Sequence, residues 1–107
     1  MKDIMMVNTD FIPGREVDEI LGMVRGNTVR ATNVGRDIKA GFRNLTGGKV
    51  DEYVEMLSES REEAINEMME KAEKMGADAV INVRFMTSSV MQSAAEVLVY
   101  GTAVKLK

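Results

Sequence analysis

Glu19 to Arg30, EILGMVRGNTVR, reads as a strand, yet it contains two glycines four positions apart, Gly22 and Gly26. Side chains on a strand point to alternate faces, so both glycines lie on the same one. That face is therefore unusually bare, with Val24 the one side chain between the two glycines. A bare strand face suits the close approach of another backbone. The fold turns on what fills that space.

The clearest single element of the chain is Asp51 to Met75. Val54, Leu57, Ala64, Ile65, Met68, Ala72 and Met75 recur at helical spacing and form one apolar face. Glu52, Glu55, Glu59, Glu62, Glu63, Glu70 and Glu73 cover the other. Glu67–Lys71 and Glu70–Lys74 are well oriented as i,i+4 pairs. Gly76 ends the helix. A separate helix starting at Ser60, with Glu63 completing a capping box, is an alternative start. Arg61 falls in the middle of the apolar face. A buried guanidinium needs a partner there, and an interface or a buried pair is favoured over a ligand contact.

Between these segments, Val34, Ile38, Phe42 and Leu45 fall on one stripe at 100° per residue, with Arg36, Lys39 and Arg43 opposite. This predicts an amphipathic helix, capped by Asn33, stopped by Gly47-Gly48, and carrying Gly41 for close packing. Its bases are expected to meet acids within or between subunits, although an anionic ligand is open to them. Asp37 beside Arg36 is read as a salt bridge in preference to a site pair.

Ile4 to Thr9 is expected as a short strand, Pro13-Gly14 as a turn, Ala79 to Thr87 as a strand, Ser88 to Ser93 as a polar loop, and Glu96 to Lys107 as a long final strand. In Ala79 to Thr87, Ile81, Val83 and Phe85 should share one face, with Asn82, Arg84 and Met86 on the other. The order β-β-α-α-β-β defines a compact α+β subunit, an antiparallel or mixed sheet packed against helices on one side. With 107 residues the chain is one domain.

Composition removes several functions. There is no His and no Cys, so disulfides, thiolate nucleophiles and the commonest general base and soft-metal ligands are absent. The ten Met are read as core filling in preference to Cu(I) ligands. Six residues separate Gly41 from Gly48 and Val50 follows Lys49, which is not the spacing of a P-loop. No catalytic residues are assigned. Cofactors are expected to be none. The first apolar run, Ile4 to Val7, is too short for a signal segment or a membrane span, so a cytoplasmic location is expected. From Asp51 to Glu73 nine acids stand against two bases, a net −7, so with −3 overall the remainder carries +4. Such a division disfavours nucleic acid as a partner and favours complementary contacts between segments or subunits.

Four short stretches, Asn33-Val34-Gly35-Arg36-Asp37, Gly41-Phe42-Arg43-Asn44 with Gly47-Gly48, Gly76-Ala77-Asp78-Ala79-Val80 and Tyr100-Gly101-Thr102-Ala103-Val104, together resemble the YbjQ-like family. These are small prokaryotic proteins without an assigned activity, often labelled heavy-metal-binding. The likeness runs from about Thr9 to the end of the chain. It implies a two-layer subunit of dodecin-like type that assembles into a ring-like homopentamer. It supplies no catalytic residues. The expected function is a non-enzymatic homo-oligomer, a scaffold or a binder of a small ligand at subunit boundaries, with an anion as the candidate ligand. Arg36, Asp37, Gly41, Arg43, Gly47, Gly48 and Arg61 are the candidate ligand or interface residues. A metal-binding or metal-responsive protein is the alternative; none of these residues is assigned to a metal.

Overall fold

The structure is a computed structural model that describes residues 3–31, 51–91 and 94–107. Four strands and one helix are present among them, β1 Met5–Met6, β2 Val17–Ala31, α1 Asp51–Lys74, β3 Ala79–Met91 and β4 Ala94–Leu106. The class is α+β with a mixed sheet. The order among the described residues is β-β-α-β-β, and the helix expected from Val34 lies outside them. The strands lie in the order β1-β3-β4-β2. β1 runs parallel to β3, while β4 is antiparallel to both β3 and β2.

The N-terminal segment follows β3 beyond its two assigned residues. Val7 donates to the Val80 carbonyl, Val83 donates to the Val7 carbonyl and Asn82 donates to that of Thr9. Pro13-Gly14 makes the expected turn. Arg15 N–H donates to Ile12 C=O at 3.0 Å, and Gly14 takes the positive φ, 78°, that the third position of a type II turn requires. The turn folds Ile12 onto Ala79, Ile81 and Val104, forming a small second core on one sheet face.

The other face carries α1, a single helix with no break at Ser60. It crosses β2 and β4 and leaves most of β3 uncovered. It runs antiparallel to β2, because Gly22 lies near Met75, Gly26 under Ala64 and Met68, and Arg30 beside Glu59 and Glu63. Val24, Ala64, Met68, Ala72, Val80, Val83, Val97, Val99 and Ala103 form the main core. Gly26 is where helix and strand backbones meet, as its bare face predicts. A Cβ there would sit 2.8 Å from the Met68 nitrogen and 3.0 Å from the Ala64 carbonyl carbon.

The helix ends as expected. Gly76 takes φ 81° and Ala77 N–H reaches back to the Ala72 carbonyl, so the last carbonyls find donors. Asp78 then ties the helix end to β4 by accepting the Leu106 N–H at 2.9 Å.

Three expectations change. Arg61 is exposed, and buried Ser60 takes the inward place instead, its hydroxyl donating to the Met56 carbonyl. Val54, expected inside, is exposed as well. Ser60, Ala64, Met68 and Ala72 are the helix residues turned fully toward the sheet. Second, Ser88–Met91 is not loop but strand, paired with Ala94–Glu96 across the hairpin. Third, a register shift between Ile81 and Arg84 breaks the simple alternation in β3. Asn82 adopts φ 55°, which places Ile81 in the second core and Val83 in the main one.

Candidate interaction surface

Two surfaces on opposite sides of the subunit have no cover among the described residues. The first is the sheet face away from α1. Its lower end is closed by Ile12, but the upper part is open. Residues facing one another across antiparallel strands share a face. Met23 therefore lies on this side with Thr102 and Ile81, and Arg25 with Tyr100 and Arg84. Above them come Asn27 with Leu98 and Met86, then Val29 with Glu96 and Ser88. Met23 is 72% exposed, Val29 58% and Met86 53%. Tyr100 thus stands between two arginines on one rung.

Arg84 anchors the N-terminal segment, its Nη1 donating to the Asn8 carbonyl at 2.7 Å and to the Val83 carbonyl at 3.0 Å. Arg25 makes no ion pair or hydrogen bond through its side chain among the described residues. Glu96, the acid on this open part of the face, receives the Asn27 amide at 3.3 Å.

The second surface is the outer side of α1. At 100° per residue Glu55, Glu62 and Glu73 fall within about 20° of one another, on the side away from Ala64 and Met68. All three are exposed, as is neighbouring Glu70. None of the four has an ion pair among the described residues; the expected Glu70–Lys74 pair does not form, whereas Glu67–Lys71 does, at 3.0 Å.

Between the two, Arg30 grips one flank of the helix. Its Nη1 donates to Glu59 Oε2 at 2.6 Å and its Nη2 to Glu63 Oε1, one helical turn on. The cleft beside it, about 480 Å³, is lined by Arg30, Ser58, Glu59, Glu62 and Glu63. Two of its three carboxylates are already held by Arg30, which makes the cleft a structural clasp more than a reaction centre.

Of the residues singled out from the sequence, Arg36, Asp37, Gly41, Arg43, Gly47 and Gly48 lie outside the described residues. Arg61 sits on the helix flank opposite to Glu59 and Glu63, exposed to solvent within the single chain. Arg25, Arg30 and Arg84 were not singled out. Arg25 and Arg84 are brought level only by their common pairing with Tyr100, which no local spacing reveals.

These features define a class: a two-layer α+β subunit with an open basic and apolar sheet face and an acidic helix on its back. Residues 4–107 match the model of a family described as "Putative heavy-metal-binding", and the chain belongs to this YbjQ family. It is 58% identical to a "UPF0145 protein" of Archaeoglobus fulgidus, over 99% of this chain and 98% of the relative. A "UPF0145 protein" of Halorubrum lacusprofundi is 59% identical over 94% of this chain and 96% of its own. A crystal structure from Pediococcus pentosaceus, described as a protein of unknown function in the DUF74 family, superposes with a TM-score of 0.72. That match covers 97% of this chain and 98% of the other at 16% identity, which establishes likeness of fold.

The family description can be tested against the donors present. Heavy metals prefer thiolate and imidazole, and the chain has neither Cys nor His. Among the described residues no three His, Cys, Asp or Glu side chains are placed to hold one ion. The exposed thioethers of Met23 and Met86 stand on β2 and β3, strands that β4 separates, at different rungs. The described residues do not fit a heavy-metal centre. No helix among them is long and apolar enough to cross a membrane.

Proposed function

We propose that the protein works as a non-enzymatic homo-oligomer, a cytoplasmic scaffold or a binder of a small anionic ligand at its subunit boundaries. The observation that carries this reading is the open sheet face, where Met23, Val29 and Met86 flank the Arg25–Tyr100–Arg84 rung. Exposed apolar side chains grouped on one face, with cations among them, have the make-up of a protein contact. The resemblance noted in the sequence supports five subunits and a dodecin-like layer arrangement. Arg36, Asp37, Gly41, Arg43, Gly47, Gly48 and Arg61 remain the proposed ligand or boundary residues. Native mass spectrometry on untagged protein reads subunit number and bound mass together. The expected result is an oligomer, five subunits in particular. A monomer at micromolar concentration overturns the reading.

The family description favours a second reading, a metal-binding or metal-responsive protein. Calorimetry with Cu(I), Zn(II) and Ca(II) tests it. Saturable heat at micromolar protein supports it, and a flat titration removes it.

A further inference from the structure

We propose that the open sheet face of one copy docks on the acidic outer face of α1 in the next, so that subunits join face to back. This rests on the homo-oligomer reading above and names the surfaces that make it.

Three observations converge. Among the described residues the charges match and are not already spent: Arg25 has no acidic partner there, and Arg84 is held by backbone carbonyls. On the helix, Arg30 takes Glu59 and Glu63 and Lys71 takes Glu67, which among the described residues leaves the outward Glu55, Glu62, Glu70 and Glu73 for a neighbour. Next, the sheet face surrounds its two cations with flexible Met23 and Met86, side chains that adapt to a partner surface. Finally, the two surfaces lie on opposite sides of one two-layer subunit. A twofold axis pairs a patch with itself, so the two arginines would face a patch whose acid, Glu96, already receives the Asn27 amide. A basic face against an acidic back avoids this and repeats from subunit to subunit, closing into a ring where the rotation allows. The net charge of −3 also argues against an extended anionic surface as occupant of a face with two arginines.

The contact can be dissected with two doubly substituted chains. The first carries Met23→Glu and Arg25→Glu on the sheet face. The second carries Glu62→Lys and Glu73→Lys on the helix. All four positions are exposed, so the fold should persist, and circular dichroism checks it. Each variant retains one intact surface and loses the other. By native mass spectrometry each alone is expected to run as a monomer, while an equimolar mixture associates again, because the intact face of one meets the intact back of the other and the two reversed surfaces also carry opposite charges. If the wild-type chain is oligomeric and both variants keep its subunit number, the face-to-back contact is wrong and the oligomer reading stands. Folded variants that fail to pair when mixed also overturn it. A monomeric wild type overturns both. As a gentler check, Arg25→Gln should weaken self-association about fivefold in a dilution series. No change would count against the contact.

Discussion

The backbone of Gly26 lies directly beneath that of Ala64, with no room for a side chain between them. Gly26→Ala must therefore lift α1 from β2 or bend the strand. Overpacking of this kind costs about 1–3 kcal/mol, and a backbone neighbour that cannot rotate away puts this site at the upper end. Urea denaturation followed by circular dichroism should show a lower midpoint with the slope unchanged. An unchanged midpoint would mean that the helix is not seated on this glycine.

Arg30 joins β2 to two turns of the helix, but its side chain is 33% exposed and those of Glu59 and Glu63 about half. Screening by solvent limits such a clasp. Arg30→Met is expected to cost no more than about 1 kcal/mol at low ionic strength. The difference from wild type should shrink in 1 M salt, where the Debye length falls to about 3 Å. A loss that is large and independent of salt would show that the arginine stem, not its charge, holds the helix.

At the β3 bulge, Asn82 has φ 55° and its N–H donates to the Thr9 carbonyl at 2.9 Å. Asn tolerates this left-handed conformation, and a β-branched residue does not. Asn82→Gly should leave the thermal midpoint close to that of wild type. Asn82→Val should destabilise by about 1–2 kcal/mol. Equal midpoints for the two variants would contradict the bulge.

Ser60 is 1% exposed, and its hydroxyl is satisfied by the Met56 carbonyl of the same helix. Replacing it with Ala removes donor and hydroxyl together and leaves no polar side-chain atom unpaired, while Ala is the better helix former by roughly 0.5 kcal/mol. Ser60→Ala should fall within about 0.5 kcal/mol of wild type by urea titration, whereas Ser60→Leu should unseat the helix. A severe loss from Ser60→Ala would show that the hydroxyl has a further partner.

Much of this molecule was settled by local sequence. The 3.6-residue period set α1 from Asp51 to its glycine stop, Pro13-Gly14 set the turn, and the apolar runs marked where β2, β3 and β4 lie. Even the close contact at Gly26 was legible, because two glycines on one strand face leave a gap that something must fill. Such features depend on a residue and its near neighbours along the chain. The rest depended on which surfaces meet. Ser60 rather than Arg61 faces inward because the packing of the helix on the sheet decides its rotation, which a hydropathy stripe locates only to within a neighbouring residue. Ser88–Met91 is strand because β4 pairs with it, although its serines alone read as loop. Arg25 and Arg84, 59 positions apart in the numbering, became one rung only when both strands took their register on Tyr100. Cross-strand register is a property of the assembled sheet, and the candidate interaction surface is written in it.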